Sequence, residues 1–269
     1  LSIFPSLFIR KNAFCFNIYQ KIIKFMNITV NTLKNTISKL GYKWYTDRPN
    51  LIGIRSTLDV ADAFNDFFCL VYTIPVMPSG ISLKEQQIWL NKWGFKGVDG
   101  KRLSEDGSAG KNTDFALQQY NANVGKEVIN IFQNTTNPGA YWMNNPMSKL
   151  GTAILKPGQW VDCWSRGFHQ QKPDHRALVQ TGKITVYRDN NKDSYYQLNE
   201  GQVESGLFGI NIHGSGKLAP SKQIGKWSAG CQVFSNWDNK EYVMDICDNY
   251  VKSTNNKFTY TLITEKDLS

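Results

Sequence analysis

The 269-residue chain reads as mostly β, with a small helical module inserted into the strand-forming part. Three observations lead there. Short β-branched or aromatic runs bounded by Gly, Pro, Asn and Asp recur on both sides of the middle of the chain. Between residues 76 and 123 the texture turns helical. A composition of 41% hydrophobic and 13% aromatic residues supports a buried core and excludes wholesale disorder, a collagen-like fibre and a coiled coil. The length suits one domain with an insertion, or two small domains.

Residues 1–25 are apolar but broken by Pro5, Arg10, Lys11, Lys21 and Lys24, so they hold no uncharged run of about 18 residues that could span a bilayer. Their charges do not precede the apolar stretch as a secretory signal requires. The first methionine is Met26, and residues 1–25 are expected to be a remnant leader or a non-native extension. No integral membrane segment is expected. After it, Leu33, Ile37 and Leu40 recur at helical spacing over 31–40, with Gly41 as the stop.

Strands are expected at 51–55, 67–72, 126–134, 152–157, 176–181, 183–189, 206–213, 230–235 and 258–263. A helix is expected at 239–253, where Tyr242, Ile246 and Tyr250 share a stripe with Val243 and Cys247. The insert, 76–123, opens at the Pro75 and Pro78 loop and separates two parts of one domain, 26–75 and 124–269. Its first helix, 82–94, should bury Leu83, Ile88, Leu90 or Trp93; its second, 112–122, aligns Phe115, Ala116, Gln119 and Tyr120.

A formal charge of +9 favours anionic partners such as nucleic acid, acidic lipid or bacterial wall. The basic residues are scattered with no run of five, which argues against nucleic acid. Five cysteines (Cys15, Cys69, Cys163, Cys231, Cys247), with no CxxC pair or close Cys/His cluster, make a disulfide scaffold or a zinc site unexpected. DNNKD (189–193) lacks the glycine and distal glutamate of a calcium loop and reads as a hairpin turn. GVDG and EDGSAG lack the Gly-Lys-Ser/Thr of a phosphate loop. Neither metal nor organic cofactor is expected.

The segment 206–234, GLFGINIHGSGKLAPSKQIGKWSAGCQVF, carries the chemistry. A cysteine nucleophile needs a base, a small neighbour that lets substrate approach, and backbone N–H groups for an oxyanion. His213 ends a strand before a Gly-rich loop that can bring its imidazole back to Cys231, and Ser228-Ala229-Gly230-Cys231 supplies the small residues and amides. Asn211 and Ser215 flank His213, and Trp227 and Gln232 flank the nucleophile loop, all four as pocket residues. His169 and His175 lie on a loop between strands, where either could bind a substrate carboxylate or stand as a solvated loop residue; His169, after Phe168 at a strand end, is slightly favoured for binding.

His213-Gly214-Ser215, then Ile224-Gly225, then Ser228-Ala229-Gly230-Cys231 resembles the L,D-transpeptidase signature, in which a His-Gly pair is followed by Gly-x-x-Ser-His-Gly-Cys. About 30 residues carry the match. The resemblance implies a β-sandwich or roll fold, with Cys231 as nucleophile and His213 as base. It further implies that Gly214 holds the imidazole through its carbonyl, and that Ser228, Ala229 and Gly230 shape the oxyanion pocket. Two departures stand out: Ala229 replaces the second histidine, and Val233 replaces a polar residue. The first removes a hydrogen-bonding ring beside the nucleophile and implies slower acyl transfer or a different leaving group.

LNKWGF, GVDG, EDGSAGKNT and FALQQY, in that order, resemble the peptidoglycan-binding repeat, which implies a helical bundle docking on glycan and stem peptide. Together the two resemblances imply a monomeric wall enzyme that forms a Cys231 thioester at an L,D peptide bond and passes the acyl group to an amine or to water. It would act in the cell envelope, or on a host wall if phage-encoded. The alternative is a non-catalytic wall-binding protein whose transpeptidase-like domain has degenerated.

Overall fold

The computed structural model describes residues 28–57, 62–196, 198 and 202–268; the expectations for residues 1–25, Cys15 included, lie outside them. The chain divides into two compact units, Leu1–Lys43 and Trp44–Ser269. In the first, helix α1 (Val30–Lys39) starts where the Thr29 hydroxyl accepts from the Thr32 N–H at 3.1 Å, a side-chain cap for an orphan donor.

The second unit is built on an eight-stranded closed barrel: β1 (Asn50–Arg55), β2 (Asp66–Thr73), β3 (Glu127–Thr135), β5 (Gly158–Phe168), β6 (Arg176–Gln180), β9 (Ile212–Gly214), β10 (Gln232–Phe234) and β11 (Phe258–Thr264). Around the barrel they run β1-β11-β5-β6-β9-β10-β3-β2, parallel at β1/β11 and β9/β10 and antiparallel elsewhere. A separate sheet joins β4 (Thr152–Leu155), β7 (Ile184–Asp189) and β8 (Gln202–Gly206). The mostly-β expectation stands, and a closed barrel takes the place of a sandwich. Closure removes the exposed strand edges that a two-layer sheet leaves.

One strand expectation needs correction, and two strands were not anticipated. Residues 206–213 are not one strand: Gly206 ends β8, Gly209 turns at positive φ, and pairing resumes only at Ile212. β5 went unread because Gly158, Asp162 and Gly167 punctuate it; Asp162 sits at φ 54°, and the pairing with β11 shifts register there. β8 is mostly polar, as suits a strand with little burial.

Alternation sends Leu51, Phe68, Leu70, Trp164, Leu178, Ile212, Phe234 and Tyr260 into one core cluster. Gly53 faces the same interior, and a Cβ there would lie 1.8 Å from Tyr260 Oη. That vacancy lets the phenol reach across and donate to Gln232 Oε1 at 3.0 Å, and Gln232 Nε2 in turn donates to Gly230 O at 3.3 Å. Gly53→Ala is therefore expected to cost about 1–3 kcal/mol through overpacking, read as a lowered urea midpoint. At one end of the barrel, buried Arg55 donates to Thr136 Oγ1, Thr136 O and Leu155 O. Asp66 accepts from Ser56 N, Thr136 N and Thr136 Oγ1, so Thr136 links the two buried charges.

In the insert, α2 (Leu83–Lys92) starts at a Ser82/Glu85 capping box and α3 (Lys111–Asn123) follows the Gly-rich loop. The inward stripe of α2 differs from the expected one: Ile88 is exposed, while Gln87 and Asn91 are buried beside Leu90. Their amides explain it. Gln87 bonds Ser108 O, the Thr113 hydroxyl and Gly107 N, and Asn91 bonds Leu103 O and Leu103 N, satisfying a loop that has no ladder of its own. Leu90, Phe95, Leu103, Ala116 and Tyr120 continue the barrel core. A short helix, α4 (Ala140–Asn144), follows β3.

The last helix, α5 (Trp237–Tyr250), is capped by Asn236 and buries Val243, Met244, Ile246 and Cys247. Glu241, Asp245 and Asp248 recur on a second face, where Arg176 of β6 pairs with all three. This fastens α5 across the strand that follows the His169–His175 turn. No helix among the described residues is long and apolar enough to cross a membrane.

Candidate active site

The parallel β9/β10 pair decides which side chains meet. Register pairs Ile212 with Gln232 and His213 with Val233. Since successive side chains alternate, Ile212, Gln232 and Phe234 face the barrel interior, while His213, Cys231 and Val233 share the outer face. Cys231 stands one step before β10, beside Asn211, diagonal to His213. Asn211 N donates to Cys231 Sγ at 3.4 Å, and Sγ contacts Gly209 O at 3.6 Å.

The turn ahead of the cysteine is tightly tied. Ser228 Oγ donates to Cys231 O at 2.7 Å and accepts from Gly230 N at 3.2 Å, and Ser228 O accepts from Gly139 N. Gly230 lies at φ +130°, and a Cβ there would come 2.5 Å from Ala153 O, so no other residue fits without moving the turn. The Ser228 hydroxyl is thus spent on the turn. Ala229 is half-buried and lines a cleft of about 230 Å³ with Trp142, Thr152, Ala153, Arg188, Leu207 and Phe208.

His213 Nδ1 lies 2.9 Å from Gly214 O. A carbonyl only accepts, so Nδ1 carries the proton and Nε2 keeps its lone pair. That Nε2 is buried without a hydrogen-bond partner, so the imidazole and the thiol are not hydrogen-bonded in the resting protein. His169 stacks on His213 with ring centroids 3.8 Å apart, and Asn211 Nδ2 lies 3.2 Å from His169 Nδ1. Asn211 Oδ1 accepts from Gln180 N, which sets the amide so that Nδ2 donates to His169. One residue thereby touches the thiol through its backbone and the second imidazole through its side chain.

His175 is a correction: it is buried rather than solvated, 5.4 Å from His213, 5.0 Å from His169 and 4.7 Å from Trp237 by ring centroids. All three histidines of the chain converge. The short spacing in GFHQQKPDHR carried the signal: a turn at 169–175 returns both rings to one place, since His169 N donates to His175 O. Trp237 and Lys240, at the start of α5, back the cluster and were not anticipated; Lys240 Nζ lies 3.6 Å from the Trp237 ring centre. Gln232 and Ser215, expected in the pocket, are elsewhere. Gln232 points into the barrel, and Ser215 is fully buried with Oγ on Ser235 O. Trp227 is exposed beside Gly216 at the rim.

Burial sets the electrostatics. It pushes the Cys231 thiol up to about 11, offset in part by the Asn211 N–H. His213 is held well below its ordinary value by burial, then by His169, with His175 and Lys240 adding to it. Burial, with His175 and Lys172 beside it, brings His169 down to about 4. The resting site is a neutral thiol beside neutral imidazoles.

Among the described residues no group of three or more His, Cys, Asp and Glu is arranged to hold a metal ion. Stacked rings explain part of this, because the in-plane lone pairs of His169 and His213 cannot converge on one ion. The four cysteines described, Cys69, Cys163, Cys231 and Cys247, are all free thiols. No protein-family model, curated protein or solved structure matches the chain.

Proposed function

We propose that the protein is a cysteine acyltransferase or peptidase of L,D-transpeptidase type, acting on wall stem peptides in the cell envelope or, if phage-encoded, on a host wall. The supporting observation is the His213 imidazole: its tautomer is set by Gly214 O, and its basic Nε2 is buried and unpartnered on the strand face that Cys231 shares. An unpaired buried lone pair is costly, and a substrate complex that engages it recovers that cost.

In this mechanism the Cys231 S–H proton passes to His213 Nε2 as sulfur bonds to the carbonyl carbon of the third stem residue. The tetrahedral oxyanion collapses, the C–N bond breaks, and the imidazolium returns the proton to the departing D-alanine amine. An amine or a water then attacks the thioester. Because thiol and imidazole are both neutral at rest, proton transfer accompanies attack rather than preceding it.

A second reading, a non-catalytic wall-binding protein, draws on Cys231 being 9% exposed within an apolar cluster of Phe64, Ile224 and Val233. The test is intact-mass spectrometry of the full chain mixed with a stem tetrapeptide. An adduct of tripeptide mass, released D-alanine, and loss of both in Cys231→Ala are expected. Absence of both in the unmodified chain would transfer the function to binding alone. Iodoacetamide is a poor discriminator here, since a buried neutral thiol reacts slowly whether or not substrate activates it.

A further inference from the structure

Away from the histidines, a groove of about 420 Å³ runs between the insert and α5, within the size range of small-molecule sites. Phe95, Tyr242 and Ile246 lie along it, giving it an apolar component. Its charges divide by element. The insert contributes Lys96, Lys101 and Arg102; α5 contributes Asp238, Glu241 and Asp245. Several of these are already paired: Glu241 with Arg176 and Lys240, Asp245 with Arg176 at 2.8 Å and with Arg102 at 3.6 Å. Lys96, Lys101 and Asp238 make no ion pair among the described residues and are exposed. Two free cations therefore belong to one wall and one free carboxylate to the other.

The groove is held open by its own architecture. Gly94, at φ +80°, brings the insert onto the Tyr242 ring, where a Cβ would lie 2.4 Å from a ring carbon. Tyr72 Oη bonds both Trp93 O and Tyr242 Oη, and Asn249 Nδ2 donates to Lys92 O, so the two walls are tied at their base. A ligand here meets a preformed site.

We propose that this groove binds a small zwitterion, a molecule carrying an ammonium and a carboxylate a few bonds apart, such as the diamino-acid end of a peptide. Asp238, with the Glu241 edge behind it, receives the ammonium; Lys96 and Lys101 receive the carboxylate; and the apolar component takes the adjoining methylenes. The choice of a diamino-acid peptide rests on the wall-peptide reading above, whereas the zwitterion chemistry rests on the charges alone.

The test is isothermal titration calorimetry with meso-diaminopimelic acid, in the full chain carrying Cys231→Ala so that acylation plays no part. Binding is expected, with cadaverine (ammonium only) and glutarate (carboxylate only) each weaker by about tenfold or more. Lys101→Glu and Asp238→Lys should each weaken diaminopimelate binding by about tenfold with unchanged thermal midpoints, since both side chains are exposed. The double variant should regain much of the affinity, because a zwitterion can bind reversed between exchanged charges. No heat at millimolar diaminopimelate, or affinity indifferent to both reversals, would overturn the site. Either result would leave the Cys231 thioester measurement standing, so the two proposals fail separately.

Discussion

In His213→Ala, formation of the proposed Cys231 thioester is expected to fall by about 10²–10⁴-fold, the range for removal of a general base. The large end of that range is expected because nothing else replaces it: the thiol is pushed up to about 11, so almost no thiolate exists near neutrality without a proton acceptor. His169 cannot step in as placed, since its Nδ1 lone pair is taken by the Asn211 amide. The variant also opens a hole behind the stacked His169 ring, so folding must be followed beside rate; a retained cooperative urea transition with lost acylation isolates the chemistry. Acylation within threefold of the unmodified chain would remove His213 from the mechanism.

Between pH 7 and pH 5 the protein is expected to lose stability through its three histidines. The sign follows from their environment. Each is held below its ordinary value of 6.5, so near pH 5.5 the unfolded chain binds protons that the folded chain refuses. Stability is therefore complete above about 6.5 and is lost as pH falls toward each folded value, by up to about 1.4 kcal/mol per pH unit for each histidine. His169, half-exposed, contributes least. Asp66, raised by burial, acts in the opposite sense but starts from an ordinary value of 3.8. Urea midpoints at pH 7 and pH 5 measure the loss, and His175→Asn should remove a share of it. A midpoint that does not move would mean that the imidazoles accept protons in place. Under the proposed mechanism the same burial puts the acid limb of acylation by way of His213 below the ordinary histidine range.

The linear pattern marked Cys231 and His213, which the fold brings to one strand face, and the strand-rich character, because both are written locally: a thiol after small residues, a histidine before a Gly-rich loop, and β-branched runs between turn residues. It did not reveal how the sheet closes. The parallel pairing of β1 with β11 is a long-range event with no local mark, and a barrel and a sandwich share the same alternation. The burial of Gln87 and Asn91 has no local mark for a related reason. Polar residues are normally assigned outward, and only the loop they satisfy, 12 to 20 positions on, turns them inward. His175 was legible in spacing but not in depth, since its burial depends on Trp237, far along the chain.

The pairing of the first barrel strand with the last also governs when the site can exist. Leu51 and Tyr260, roughly 200 positions apart, are register partners, so a large loop entropy must be met before the ring closes. Tyr260 is the residue that steadies Gln232 and, through it, Gly230 ahead of Cys231. A growing or partly refolded chain can thus form its hairpins while the cysteine turn still lacks its inner brace. Reactivity should appear late on refolding, in step with the slowest phase, making competence at Cys231 a reporter of barrel closure.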